Sequence, residues 1–377
     1  MKAVQAHYTT ENGWRYLTEK QGLKKPLVLI FASRLLLEDP AVLSEIKTEF
    51  PYNDIVYVST AGEIMAEHVY EGTVAVTALD FEKTTFSITT ADISDFDDNA
   101  TEMAKSLCDA LPAGDLRHLL VFASGNFLNG SALVEGFEEI TEYSVPITGG
   151  LSGDDSRFER TVAGYNTPPQ EGTAVMIGLY GGNPEITYAS LGGFQPLGPN
   201  RIVTKAEKNV VYEIDGKPAL ELYKAYLGDR VMQKMESLLA FPLQVAAPGK
   251  KFHAVRTVLQ IDTEDGSVVL AGNCPEGSQV QLLMASVNGI TDGAAEASKL
   301  AMLNRKKEPE FALLVSCMGR KAIMGMRIEE ELDIVRETLG DNVPMAGFYS
   351  YAEIAPFTGS NVCELHNQTL TLTLISE

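Results

Sequence analysis

The sequence predicts an α/β fold of two pseudo-repeated halves, with mixed sheets built from β-α-β units and β-hairpins. Three observations carry this. A strand–helix–strand pattern occurs three times, a larger set of elements recurs at a 192-residue offset with Ser124 over Ser316, and hairpin-like stretches lie between them. The first strands are Leu27-Val28-Leu29-Ile30-Phe31-Ala32-Ser33, Leu119-Leu120-Val121-Phe122-Ala123-Ser124 and Leu313-Leu314-Val315-Ser316. Unbroken apolar runs of this length suit strands buried on both faces.

A helix follows each run. Asp39 serves as the N-cap of the first, with Pro40 at its first position. Ser131 is the expected cap of the second, leading into Ala132-Leu133-Val134-Glu135, and the third contains Ile328-Glu329-Glu330-Glu331-Leu332. A second strand and a Gly/Ser-rich turn come next: Ile55–Ile64, Pro146–Asp154 and Pro344–Ile354, with Gly62-Glu63-Ile64 in register with Ala352-Glu353-Ile354. Such β-α-β units form parallel pairs with right-handed crossovers.

The 192-residue offset sets Phe86–Thr90, a helix near Ala100–Leu111 and the strand ending at Ser124 over Val280–Met284, a helix near Ala294–Leu303 and the strand ending at Ser316. Hairpins are expected for Thr73–Leu79 with Thr84–Thr90 around Glu82-Lys83, for Gly172–Leu179 with Ile186–Ser190, and for Val255–Ile261 with Val268–Ala271 around Asp265-Gly266. The Gly- and Pro-rich stretch Gly193–Asn200 divides the chain into expected domains of residues 1–200 and 201–377.

Composition narrows the function. The 377 residues carry 30 Lys and Arg against 51 Asp and Glu, a net charge of −21, with 45% hydrophobic residues. That apolar content excludes a disordered chain. The acidic excess argues against sequence-independent nucleic-acid binding, which needs cations against phosphates, and against docking on anionic lipid. No run approaches the roughly 18 apolar residues of a membrane helix, and the first residues lack the apolar core of a secretory signal. Four cysteines without a CxxC make no disulfide framework, so a cytoplasmic setting is expected. Cys363 and His366 form a lone C-x-x-H with no second ligand pair. The absence of GxSxG, HExxH, Walker and strand-linked GxGxxG motifs points away from an enzyme; Gly149-Gly150-Leu151-Ser152-Gly153 only loosely matches a nucleophile elbow.

Ligands of parallel sheets bind beyond the carboxyl ends of strands, where the repeated turns lie. The candidate ligand-binding residues there are Ser59, Thr60 and Glu63; Gly149, Gly150, Ser152 and Asp154; and Tyr349, Ser350 and Glu353. Such a set suits a zwitterion, acids facing an amine and N–H groups or an Arg facing a carboxylate. The alternative is that the glycines and hydroxyls make tight turns and the acids cap nearby backbone. Arg256 and Arg320 are the candidate cationic partners, of a ligand or of a protein carboxylate.

The ordered motifs resemble the FIST family, whose members have an N-terminal and a C-terminal FIST domain. They are Ser59–Ile64, Gly149–Asp154 with Arg157–Thr161, Glu213–Leu220, Pro275–Ser278, Ser316–Arg320, Gly347–Ile354 and Leu365–Leu370. Where the family often has Gly-Cys before the Ser-Thr pair, this chain has Tyr57-Val58. The resemblance implies a FIST N-terminal domain over 1–200, a FIST C-terminal domain over 201–377, and small-ligand sensing without turnover. An amino acid or similar molecule is the implied ligand, and a separate signalling protein such as a histidine kinase the implied partner. Some stand-alone members resemble haem-dependent nitric-oxide sensors. In that version His366 would ligate the iron, oriented by Asn367 or a backbone carbonyl; otherwise His366 is a buried residue hydrogen-bonded to the turns.

Overall fold

The computed structural model describes every residue except Phe127, Gln233 and Lys234, and for the rest of 229–236 the backbone alone. All three β-α-β units form. The first unit runs β1 (Lys2–Thr9), β2 (Leu27–Ala32), α1 (Pro40–Glu49), β3 (Asp54–Ser59), β4 (Glu63–Met65) and β5 (Val74–Asp80). The second runs β6 (Thr85–Asp92), α2 (Ala100–Asp109), β7 (Leu116–Ala123), α3 (Gly130–Thr141), β8 (Ile147–Leu151), β9 (Ala163–Tyr165) and β10 (Thr173–Tyr180). The third begins with β11 (Glu185–Leu191) and resumes at α4 (Val287–Met302) and β12 (Phe311–Cys317). It ends with α5 (Met318–Met324), α6 (Glu330–Leu339), β13 (Met345–Ser350), β14 (Ala352–Pro356) and β15 (Leu370–Ser376).

Three mixed sheets share one strand order: β1-β5-β2-β3-β9, β6-β10-β7-β8-β14 and β11-β15-β12-β13-β4. The pairs β2·β3, β7·β8 and β12·β13 are parallel. The last of these five strands in each sheet is lent by another unit. β4 pairs with β13, β9 with β3, and β14 with β8, so each unit donates one strand around a closed cycle.

Period-2 alternation divides each central strand between two cores. Leu27, Leu29 and Phe31 of β2, Leu120 and Phe122 of β7, and Phe311, Leu313 and Val315 of β12 face one common interior. Phe31, Phe122 and Phe348 meet there with ring centroids 4.9–5.9 Å apart. The alternate residues, such as Val28 and Ile30, Val121 and Ala123, and Ala312 and Leu314, pack outward under the helices. This is why all three runs are apolar throughout.

Two expected hairpins do not form. Residues 81–84 carry the chain from β5 in the first sheet to β6 in the second, and 181–184 carry it from β10 to β11 in the third. The backbone N–H groups of Glu82 and Lys83 donate to the Glu377 carboxylate, at 2.7 and 2.9 Å, instead of closing a two-strand turn. The hairpin at Asp265-Gly266 does form, Val258–Ile261 pairing with Val268–Leu270. The cap of α3 is Asn129, which accepts from Ala132 N at 3.1 Å, while Ser131 sits inside the first turn. Asp39 caps α1 as expected, accepting from Ala41 N at 2.8 Å.

Between β11 and α4 the chain builds a fourth, antiparallel sheet, from Gln195–Pro196 to Gln279–Met284. Its own core contains Val203, Val211, Leu243, Val258 and Leu282. The second unit has only the 3₁₀ turn Ile93–Phe96 at that place in its order. The 192-residue offset therefore superposes α2–β7 on α4–β12, but Val280–Met284 belongs to the inserted sheet. The edge place beside β15 that matches β6 beside β10 is taken by β11.

Candidate functional site

Strand exchange gathers the three repeated turns at one end of the body and hydrogen-bonds them to one another. Ala61 N donates to Tyr349 O and Tyr349 N to Gly62 O, both at 2.8 Å. Gly153 N donates to Ser59 O at 2.9 Å, and Tyr351 N to Leu151 O at 3.1 Å. Ser59 Oγ donates to Gly153 O and accepts from Val162 N. Gly149 lies in β8 with φ +146°, and a Cβ there would stand 1.9 Å from Val121 O, so only glycine fits against β7.

Each turn is braced by an acid, in two different ways. Thr60 Oγ1 donates to Glu63 at 2.6 Å, and Thr73 donates to the same carboxyl from its backbone N at 3.2 Å and Oγ1 at 2.6 Å. Ser350 Oγ donates to Glu353 at 2.6 Å, and Thr369 donates from N at 3.1 Å and Oγ1 at 2.9 Å. Both acids are fully buried. Desolvation pushes Glu63 up to about 8 and Glu353 up to about 7, outweighing the hydroxyl donors that favour the anion. In the second unit the strand register puts Ala163 at the matching place, opposite Val58 as Glu63 is opposite Phe348. Ser152 Oγ is accordingly buried without a partner among the described residues. Asp154 braces this turn instead, accepting from Arg34 Nε at 2.9 Å and Arg157 Nη2 at 2.6 Å. Burial would raise Asp154, but these guanidinium bonds outweigh it and hold the carboxyl below its ordinary value.

The two arginines also find protein partners. Arg320 is wholly buried and pairs with Glu331 at 2.5 Å, which also accepts from Ser316 and Tyr349. Arg256 reaches from the inserted sheet to Glu364 at 3.0 Å and to Leu365 O at 2.5 Å, so it fastens that sheet to the body. Gln368 Nε2 adds a second fastening to Leu239 O at 3.0 Å. The acids and arginines singled out from the sequence thus satisfy one another or nearby backbone, and no zwitterion-binding set is left open among them.

His366 lies opposite Glu353, and its Nε2 is 3.0 Å from Ala355 O. A carbonyl only accepts, so Nε2 carries the proton. Burial lowers the ring to about 4 and keeps it neutral. Nε2 is thus engaged by a backbone carbonyl and not free to ligate a haem iron, and Phe357 packs edge-on to the imidazole at 5.0 Å and stacks on Phe252 at 4.7 Å.

The open space lies beside the turns, between the body and the inserted sheet. A cavity of about 360 Å³ is walled by Gly125, Asn126 and Asn129–Ser131 beyond β7, by Cys317–Gly319 beyond β12, and by Ser350–Ala352 beyond β13. The inserted sheet supplies Asn209, Thr257, Leu259 and Leu270–Asn273. Of the candidate ligand-binding residues, Ser350 alone lines it. Two hydroxyls in its wall, Ser131 Oγ and Thr257 Oγ1, are buried and find no hydrogen-bond partner among the described residues. Among the described residues the lining has amides, hydroxyls and apolar groups but no ionised side chain. The segment Ser124–Ser131, at the carboxyl end of a parallel strand, offered a sequence signal for one wall. Nothing local marked Thr257 or Asn273, which come from a sheet inserted far along the chain.

Each sheet of the body has a parallel central pair, and the cleft lies at the carboxyl ends of such strands, an α/β architecture in which ligands generally bind at that end. The FIST N domain model matches residues 26–217 and the FIST C domain model residues 219–356. The chain belongs to the FIST family, a family of sensory signal-transduction domains. An uncharacterized protein of Mycobacterium bovis is 25% identical over 272 residues, 68% of this chain and 64% of its own length. One of Mycobacterium tuberculosis is 26% identical over 189 residues, 48% of this chain and 49% of its own. One of Methanocaldococcus jannaschii is 23% identical over 345 residues, 84% of this chain and 65% of its own. The chain thus spans 64% of the length of the first of these relatives.

Proposed function

We propose that the chain is a cytoplasmic, non-catalytic small-ligand sensor whose occupancy is read by a separate signalling protein such as a histidine kinase. The observation that carries this is the cleft with its two unpartnered buried hydroxyls, Ser131 Oγ and Thr257 Oγ1. An unmet buried hydroxyl costs about 1–3 kcal/mol, which a ligand supplying its partner recovers. The cleft has one wall on each side of the junction, so a ligand bridging them biases how the inserted sheet sits on the body. That is the differential contact a sensory switch requires. The neutral lining favours an uncharged polar molecule over a fully ionised one. The division near residue 200 is proposed to separate the ligand-presenting N-terminal part from the reporting C-terminal part. Four free cysteines agree with a reducing compartment.

A thermal-shift screen of amino acids, their amides and other small metabolites is the test. A hit is expected to raise Tm in the wild-type chain and to lose at least about tenfold in affinity in Thr257→Val, the loss of one hydrogen bond worth about 1.4 kcal/mol. A ligand bound equally well by Thr257→Val and Ser131→Ala would remove this cleft as the site.

A further inference from the structure

A second cavity, of about 460 Å³, lies between α3 and the inserted sheet on the far side of the Arg256 fastening. Glu138 lines it, 3% exposed, with both carboxylate oxygens buried and no side-chain hydrogen-bond partner among the described residues, only the Cys363 backbone N–H facing it and favouring the anion. Buried carboxyls are ordinarily paired, because an unmet one forfeits its whole hydration. Glu364, held by Arg256, and the Cys363 thiol and Tyr188 face it without donating to it, Glu139 is held by Lys105, and Lys250 and Lys251 are exposed and make no ion pair with Glu138. Val134, Phe357 and Val362 give it an apolar wall. Glu135, one helical turn before Glu138, adds a second acid on the same face of α3.

We propose that this cavity binds a small alkyl monoammonium ion, its cationic head against Glu138 and its chain along the apolar wall. A buried carboxyl with no side-chain partner among the described residues selects a hydrogen-bond-donating cation. The exposed Lys250 and Lys251 repel a second positive charge, so a monoamine is preferred to a diamine. Burial raises Glu138 to about 7, and an ammonium ion there stabilises the carboxylate form. Binding therefore strengthens as pH rises from 6 to 8, across which an alkylamine stays protonated. The site is separate from the neutral-lined cleft and does not depend on that cleft being a sensor site.

Calorimetric titration of the full chain with n-butylammonium and putrescine, at pH 6 and pH 8, tests this. Saturable one-to-one binding of n-butylammonium is expected, tighter at pH 8, with putrescine at least tenfold weaker. Glu138→Gln is expected to lose n-butylammonium by tenfold or more and keep its melting transition, while Thr257→Val in the other cleft binds it unchanged. Lys250→Ala/Lys251→Ala, at exposed positions that leave the core intact, is expected to bring putrescine up to the affinity of n-butylammonium. No saturable heat with the wild type, or equal binding by folded Glu138→Gln, overturns the proposal. If Glu138→Gln does not fold, the double lysine variant decides: an unchanged preference for the monoamine overturns it.

Discussion

The turns after β3 and β13 compare instructively with the turn after β8. All three stand at the carboxyl end of a parallel strand, and all three send a strand into a neighbouring sheet. In the outer two, a buried Glu sits three residues after a hydroxyl and also accepts from the threonine that opens the next antiparallel strand, Thr73 or Thr369. In the middle one the place of the Glu is Ala163, and an ionised Asp154 held by Arg34 and Arg157 does the bracing. The same geometric task is thus met in two copies by buried carboxyls that accept from hydroxyls and titrate near neutral pH, and in the third by an ion pair. Repetition of backbone order does not require repetition of chemistry.

The two kinds of brace respond differently to perturbation. The largest effect belongs to the ion pair. Arg34→Ala leaves Asp154 buried with Arg157 as its remaining cation, and is expected to cost about 3 kcal/mol, the low end for breaking a buried pair. Chemical denaturation measures it; a cost near zero would mean that Arg157 alone holds the turn.

Next comes pH. Glu63 and Glu353 have folded values raised to about 8 and about 7 from 4.5, so between those limits the native state binds more protons than the unfolded chain. Stability contributed by the neutral carboxyls is full below pH 4.5 and is lost as pH rises through their folded values, by at most about 1.4 kcal/mol per pH unit for each group. His118 and His366, lowered by burial to about 3 and about 4, act in the opposite sense below pH 6.5, and Glu138, raised to about 7, acts in the same sense as the two braces, so the window from 6.5 to 8 reads the three raised acids together. Urea midpoints are expected to fall across it in the wild type and to fall less steeply in Glu63→Gln, the remaining slope belonging to Glu353 and Glu138. Asp154, held low, contributes nothing to that slope; its brace weakens only as pH falls below 3.8.

The smallest contrast is between hydroxyls at matching places. Ser350→Ala removes a donor to Glu353 and is expected to cost about 1 kcal/mol. Ser152→Ala removes an oxygen that has no partner and is expected to change stability by less than about 0.5 kcal/mol. Equal costs would show that Ser152 Oγ is satisfied in solution.

The β-α-β units were legible because two physical signals coincide in each. Runs such as Leu27–Ala32 and Leu119–Ala123 are apolar on both faces, and Asp39-Pro40 marks a helix start by capping chemistry. The repeated turns were legible as turns, and Glu63 and Glu353 as equivalent, because register survives in their spacing from the strand. Their role was not. Whether an acid meets a ligand or a threonine ten or sixteen residues away depends on the partner strand, and Thr73 and Thr369 carry no mark of it. The cleft was half legible: Asn126–Ser131 follows a parallel strand, while Thr257 and Asn273 arrive from the inserted sheet.

By itself the sequence determined the three β-α-β units, the α/β class and the three places where strands end in glycine- and hydroxyl-rich turns. These depend on local periodicity, capping and backbone freedom, which act over a few residues. Tertiary structure alone decided which sheet each strand joins. A two-residue turn signal at Glu82-Lys83 reads the same whether the next strand folds back or crosses to another sheet, and a strand apolar on both faces accepts either neighbour. The exchange of β4, β9 and β14, the common interior around Phe31, Phe122 and Phe348, and the cavities against the inserted sheet all follow from that long-range choice. It is made by burial summed over three sheets, which no single segment encodes.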